Sequence, residues 1–249
     1  EGAPTPVVAF FAAAPKVAAL GLFIRVAVDA FGGLVAQWQQ IVVFLSIASM
    51  LLGAVGAIGQ ANIKRLLAYS SINNVGFMLL GLAAATPAGI SATLFYLAVY
   101  LVMTLGAFLA LLGLTDADGR PLETMDDLKG LAQTRPFLAF AMASFMLSLA
   151  GIPPLFGFMP KLAVFNAAIA AGLVPLAVIG VLAAVIAAFY YLRVVKLMYF
   201  DPPSETVVVP QGRLNMAMML VAAVLVSPLG YLLLGPLTEA SRTAAGALF

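Results

Sequence analysis

The chain has 249 residues, 64% of them hydrophobic and only 9% charged, with a mean hydropathy of +1.12, which excludes an ordinary soluble domain and fits a polytopic membrane protein. Zero cysteine removes disulfides, iron–sulfur ligation and thiol catalysis, and zero histidine removes the commonest metal ligand and the side chain that titrates near neutrality. A formal charge of +2 with no basic stripe gives no footprint for nucleic acid.

The opening Glu1-Gly2-Ala3-Pro4-Thr5-Pro6 has no initiator Met, basic region or cleavage site, and reads as a piece of something longer. Apolar stretches then recur at 7–24, 41–59, 66–85, 90–113, 136–172, 174–192 and 214–234. About 20 residues at ~1.5 Å rise cross ~30 Å of hydrocarbon, so the expected fold is all-α and polytopic. Residues 1–249 form one membrane domain of about seven transmembrane helices in this reading.

Lys16 is the one charge between Glu1 and Arg25 and stands near the middle of the first stretch. A lysine at bilayer depth costs roughly 2.5 to 3.5 kcal/mol, and burial disfavours its charged form, so it can exchange a proton there or snorkel to an interface. In the second stretch, Gly53, Gly56 and Gly59 read as surfaces of close helix approach, since no strand or lysine beside them suggests a phosphate loop.

The third stretch opens on Lys64 and Arg65, expected as anchors at headgroup level, with Ser70, Ser71, Asn73 and Asn74 deeper. Those polar groups serve either interhelical packing or a hydrated path. Tyr96 and Tyr100, one helical turn apart in the fourth stretch, face the same way and either pack or hold water. The loop from Thr115 to Thr134 carries five acids and reads as a solvated connector.

The fifth stretch is too long for one crossing, because its 37 residues would reach ~55 Å as a straight helix. Gly151, Pro153 and Pro154 predict the break, which frees backbone carbonyls at mid-membrane depth. Lys161 follows as the one charge between Arg135 and Arg193. Its three donors suit the freed carbonyls, and proton handling is compatible with that capping role. Beyond the sixth stretch, Asp201 to Gly212 reads as another connector.

Alternating crossings collect Lys64, Arg65, Arg120, Lys129, Arg135, Arg193, Lys196 and Arg213 on one side, against Arg25 and Arg242 on the other. The positive-inside rule makes the first side cytoplasmic, so Glu1 is expected there and Phe249 on the periplasmic face of a bacterial inner membrane.

Ile63 to Ile72 (IKRLLAYSSI) and Ser148 to Phe158 (SLAGIPPLFGF) with Lys161 resemble the antiporter-like membrane subunits of respiratory NADH:quinone oxidoreductase, complex I. Tyr96-Leu97-Ala98-Val99-Tyr100-Leu101, Leu105-Gly106-Ala107-Phe108 and Tyr190-Tyr191-Leu192-Arg193-Val194 are most similar to the N-type members. So is the absence of histidine from the third and fourth stretches, where the larger antiporter-like subunits carry it.

The resemblance implies a fourteen-helix subunit with two inverted repeats, of which this chain is the C-terminal half. It makes Lys16 a linking lysine and Lys161 the lysine of the second broken helix. It further implies proton translocation along a hydrated mid-membrane path through Ser70, Ser71, Asn74, Tyr96 and Tyr100, with no cofactor or metal in this chain. NADH, FMN, iron–sulfur clusters and quinone are then expected in partner subunits of a hetero-oligomer, in contact with lipid. The alternatives are a subunit of a multi-subunit cation/proton antiporter or membrane-bound hydrogenase, and a structural membrane spacer with no ion path.

Overall fold

The structure is a computed structural model that describes residues 3–116, 118–204 and 212–248. Among the described residues every regular element is helical, and extended pairing is limited to two isolated bridges, Asn62 with Thr124 and Thr115 with Pro121. The protein is an all-α polytopic membrane protein.

Helix α1 (Thr5–Arg25) continues as a π-helical turn, Val26–Ala30, so the first span is longer than its apolar core suggests. A single 3-10 turn leads into α2 (Val35–Ile58). Asn62 then starts α3 (Ile63–Ala83), its side chain accepting the Arg65 N–H at 3.1 Å. Thr86 does the same for α4 (Pro87–Leu112), accepting the Gly89 N–H at 3.1 Å. Pro87 occupies the first helical position, where a missing N–H costs nothing.

Helices α3 and α4 form the buried centre. Helices α1 and α2 instead present apolar side chains outward, Phe10, Phe11, Phe44 and Leu52 among them. In a bilayer such a face meets a solvent as apolar as itself, so small residues set the packing. A Cβ on Gly53 would stand 2.7 Å from Asn73 Cα, and one on Gly56 2.5 Å from the Tyr69 ring, which is why α2 lies so close on α3. Gly59 is different from expectation: it ends α2 and a Cβ there would meet open space.

The Thr115 to Thr134 connector folds back on the start of α3, where Ile63 N–H donates to Glu123 O at 2.9 Å and Met125 N–H to Ala61 O at 2.8 Å. It ends in a short helix, α5 (Leu131–Thr134).

The fifth apolar stretch breaks where its glycine and prolines predict. Helix α6 (Pro136–Ala150) stops at Gly151, whose φ of +79° is a left-handed conformation that suits glycine. The chain resumes as α7 (Phe158–Ala170). With 15 and 13 residues, neither half reaches across ~30 Å alone. Helix α8 (Val174–Phe200) is continuous and two turns longer than its apolar stretch.

The seventh stretch, expected as one helix, is also interrupted. Helix α9 (Arg213–Val226) ends at Ser227-Pro228, and the following segment, a 3-10 turn and α10 (Leu234–Gly246), departs at 69°. Pro228 has no N–H to continue α9, and Ser227 Oγ donates to Val224 O at 2.7 Å while accepting the Leu229 N–H at 3.2 Å. The two breaks meet: Phe156 N–H donates to Val226 O at 2.9 Å. Irregular backbone at that depth is stable because each interruption supplies a partner to the other.

Five helices are individually long and apolar enough to span, the bent α9 and α10 pair supplies a sixth, and broken α6 and α7 hold the fifth place in the predicted order. The segments carrying Lys64, Lys129, Arg193 and Lys196 meet at one end, through Arg193 Nη1 donating to Ile58 O at 3.0 Å and Gly130 N–H to Leu197 O at 3.0 Å. Glu1 and Phe249, on which the expected orientation of the termini rests, lie outside the described residues, as do 205–211 of the second connector.

Candidate functional site

Ser70 and Asn74 are one turn apart on α3 and look towards α4 and α8 across a buried seam. Tyr96 OH donates to Asn74 Oδ1 at 2.9 Å. Asn74 Nδ2 donates to Ser70 O at 2.8 Å and to Tyr191 OH at 3.2 Å. Ser70 Oγ and Tyr191 OH share a hydrogen bond of 2.5 Å, and Ser71 Oγ is bonded to Tyr100 OH. The five path residues expected from the sequence therefore come together in one region, and every one of them is buried.

Tyr191, from α8, closes the group and was not anticipated as a site residue. The signal was present, since Tyr190-Tyr191 is a pair of hydroxyls that follows an unbroken apolar run in α8. Tyr190 OH and Asn73 Oδ1 are buried with no hydrogen-bond partner among the described residues. Such atoms are uncommon in folded proteins and mark places where water is accommodated. A small cavity of about 10 Å³ lies alongside, lined by Leu67, Ser70, Tyr100, Thr104 and Leu149, with room for about one water.

Lys161, in the second turn of α7, is 5% exposed. Its Nζ donates to Leu149 O at 3.1 Å and Ala150 O at 2.9 Å, two carbonyls that the end of α6 leaves without helical donors. The amine also stands 4.7 Å from the centroid of the Phe77 ring, one turn along α3 from Asn74. Gly151 makes room for it, because a Cβ there would lie 3.0 Å from Lys161 Cδ. Among the described residues no carboxylate pairs with this lysine. Ser148, also not anticipated, bridges the break by accepting the Gly157 N–H at 3.0 Å.

Lys16 is half-buried on α1 and its Nζ lies 6.0 Å from the centroid of the Tyr100 ring. It thus points at the middle of α4 and not past a helix end. The two amines bracket the polar group, with Lys16 at Tyr100 and Lys161 beyond Phe77. Hydroxyls both donate and accept, so the bonded pairs Ser70–Tyr191 and Ser71–Tyr100 can each pass a proton by reorientation, whereas Asn74, which joins Tyr96 to the first pair, can only position its neighbours. Removing charge from either amine is the step that such a chain can serve.

Lys64 corrects an expectation. It is 4% exposed, forms an ion pair with Glu123, and donates to Ala3 O at 3.2 Å. The folded-back connector covers it, so it is no headgroup anchor, while the adjoining Arg65 is exposed.

Residues 1–187 match a family model described as NADH:quinone oxidoreductase/Mrp antiporter, TM. The NADH-quinone oxidoreductase subunit N of Erythrobacter litoralis (strain HTCC2594) is 58% identical over 249 residues, covering 100% of this chain and 51% of the relative. Among solved structures, a chain of respiratory complex I from Thermus thermophilus with bound aureothin superposes with a TM-score of 0.81 at 34% identity, over 96% of this chain and 52% of that one. A chain of the Mrp complex from Dietzia sp. DQ12-45-1b has the same TM-score of 0.81 at 26% identity, over 96% and 52%. The chain spans about half the length of the curated relatives it matches.

Proposed function

Because the chain belongs to the NADH:quinone oxidoreductase/Mrp antiporter transmembrane family, we propose that it works within a proton-translocating, N-type membrane-arm subunit of NADH:quinone oxidoreductase. One observation carries this reading: the Lys161 amine is enclosed at a helix break with no carboxylate partner among the described residues, against Phe77, which is one turn along α3 from a buried cluster of hydroxyls. A purely structural spacer would gain only the capping of Leu149 O and Ala150 O from such a group, at the cost of burying an amine without a counter-charge.

In this mechanism Lys161 and Lys16 gain and lose protons in turn. Ser70, Ser71, Tyr191, Tyr96 and Tyr100 carry them between the amines, with water where the side chains leave gaps. Leu149 O and Ala150 O hold the Lys161 ammonium while it is charged. Moving one charge across 100 mV takes ~2.3 kcal/mol, which is within reach of a modest change around a buried amine. The driving energy comes from partner subunits, where NADH, FMN, iron–sulfur clusters and quinone would be handled. The end that gathers Lys64, Lys129, Arg193 and Lys196 faces the cytoplasm, and the end near Arg242 the periplasm, following the charge bias.

The test is Lys161→Ala in the full-length subunit within the assembled complex, reading proton pumping and quinone reduction together. Loss of both supports the reading, and wild-type rates reject it. A second reading, a subunit of a cation/proton antiporter, is favoured by the equal superposition on the Mrp chain. Co-purification separates the two: partners with NADH and iron–sulfur sites belong to the first, and antiporter subunits alone to the second.

A further inference from the structure

We propose that the cleft between α4, α7 and α10 is a binding site for an anionic phospholipid, at the end of the molecule opposite the charged loops. The cleft has a volume of about 710 Å³ and includes Ser91, Asn166, Thr238 and Arg242 in its lining. Three of these occupy one level. Ser91 is four residues inside the start of α4, Asn166 four residues before the end of α7, and Arg242 four residues before the end of α10. At ~1.5 Å per residue, each lies ~6 Å in from its helix end, and all three ends open on the same side.

Deeper in, Thr238 stands level with Phe95 and Leu162, and the walls are otherwise apolar, with Met159 and Leu234 beyond. A site that is polar and cationic one turn from the surface and apolar towards the bilayer centre has the layout of a phospholipid, phosphate outward and acyl chain inward. Among the described residues, Arg242 is the only charged side chain in the lining. Its guanidinium fits phosphate oxygens in a two-pronged fashion, and its contact with Glu239 is a long 3.5 Å between two exposed groups, easily exchanged.

The other polar groups also need a partner. Among the described residues, the Ser91, Asn166 and Thr238 side chains make no hydrogen bond, and Asn166 is exposed on an apolar helix. An amide facing hydrocarbon without a partner is costly, and a headgroup supplies acceptors for it. The cleft opens on the side of a membrane-spanning chain, and its lone guanidinium favours an anionic lipid over a neutral one as the occupant.

The experiment places the full-length subunit, in its membrane assembly, in vesicles of three parts phosphatidylcholine to one part photoactivatable phosphatidylglycerol, and maps the adducts by peptide. Adducts on 158–170 and 234–246 are expected, falling about tenfold in Arg242→Gln, the scale of one lost charge-assisted contact, and by less in Arg242→Lys, which keeps the charge and loses the fork. Excess unlabelled phosphatidylglycerol should compete, and inorganic phosphate should not. Adducts that survive Arg242→Gln unchanged, equal labelling by photoactivatable phosphatidylcholine, or a cleft occupied by a neighbouring protein subunit would each overturn the proposal. A result on this site is independent of whether Lys161 handles protons.

Discussion

Lys161 Nζ lies 4.7 Å from the Phe77 ring centroid, and Phe77 is one turn along α3 from Asn74, which accepts from Tyr96 OH. The amine is therefore held by two backbone carbonyls on one side and an aromatic face on the other, both of which favour a cation. The arrangement permits capping and proton transfer to be separated by mutation.

Lys161→Arg keeps donors for Leu149 O and Ala150 O but stays charged at any working pH. Assembly of the complex should persist, at a yield near that of the parent, while proton pumping falls at least about tenfold. Pumping close to the parent rate would show that the residue only caps the break.

Tyr191→Phe removes the hydroxyl that Ser70 and Asn74 both engage, at a stability cost of about 1–2 kcal/mol. The expected result is a severalfold drop in pumping with normal assembly. Thermal unfolding of the purified complex and pumping in vesicles are the paired measurements, and unchanged pumping would remove Tyr191 from the path.

Glu123→Gln leaves the Lys64 ammonium enclosed without its counter-charge. Breaking a fully buried pair costs roughly 3–5 kcal/mol, and the partial exposure of Glu123 reduces this to about 2 kcal/mol. The Thr115 to Thr134 connector should become sensitive to limited proteolysis at protease levels that leave the parent intact.

Gly53→Ala forces a methyl onto the Asn73 backbone and should destabilise the α2 and α3 pair by roughly 1–3 kcal/mol. Gly59→Ala, where nothing crowds the added Cβ, should change the melting temperature far less. Equal effects would argue against close approach as the reason for Gly53.

In the connector, Lys129 Nζ pairs with Asp126 Oδ1 at 2.5 Å, which holds the Asp126 carboxyl below its usual 3.8 and the Lys129 ammonium above its usual 10.5. A depressed acid stabilises at pH above its unfolded value and loses the effect as pH falls through the folded one. A raised base stabilises below its unfolded value and loses the effect as pH rises through the folded one. Both groups are solvated, so the pair should be weak, insensitive to pH between about 5 and 9, and screened by salt, as NMR titration of the connector can check.

Much of this was legible because membrane insertion imposes simple rules. Apolar length located the spans, and Gly151-Ile152-Pro153-Pro154 located the first break, since proline and glycine act on their own backbone. Ser70, Ser71, Asn74, Tyr96 and Tyr100 stood out as polar groups in apolar helices. What the sequence hid was set by partners far along the chain. Lys64 looks like an anchor until Glu123 is brought back over it, and Tyr191 is 121 residues from the Ser70 that it bonds. The interruption at Ser227-Pro228 carries one proline in place of two and lies in a stretch short enough to pass for an ordinary crossing.

The bond from Phe156 to Val226 has a mechanical result. A bare amide in hydrocarbon costs several kcal/mol, so a rotation that shifts the start of α7 has to drag Val226 with it or lose that contact. Helix α9 is tied to α4 at its far end as well, by Asn215 Nδ2 donating to Leu109 O at 3.3 Å. Substitutions that displace the start of α7 are therefore expected to disturb the 69° elbow between α9 and α10 as well.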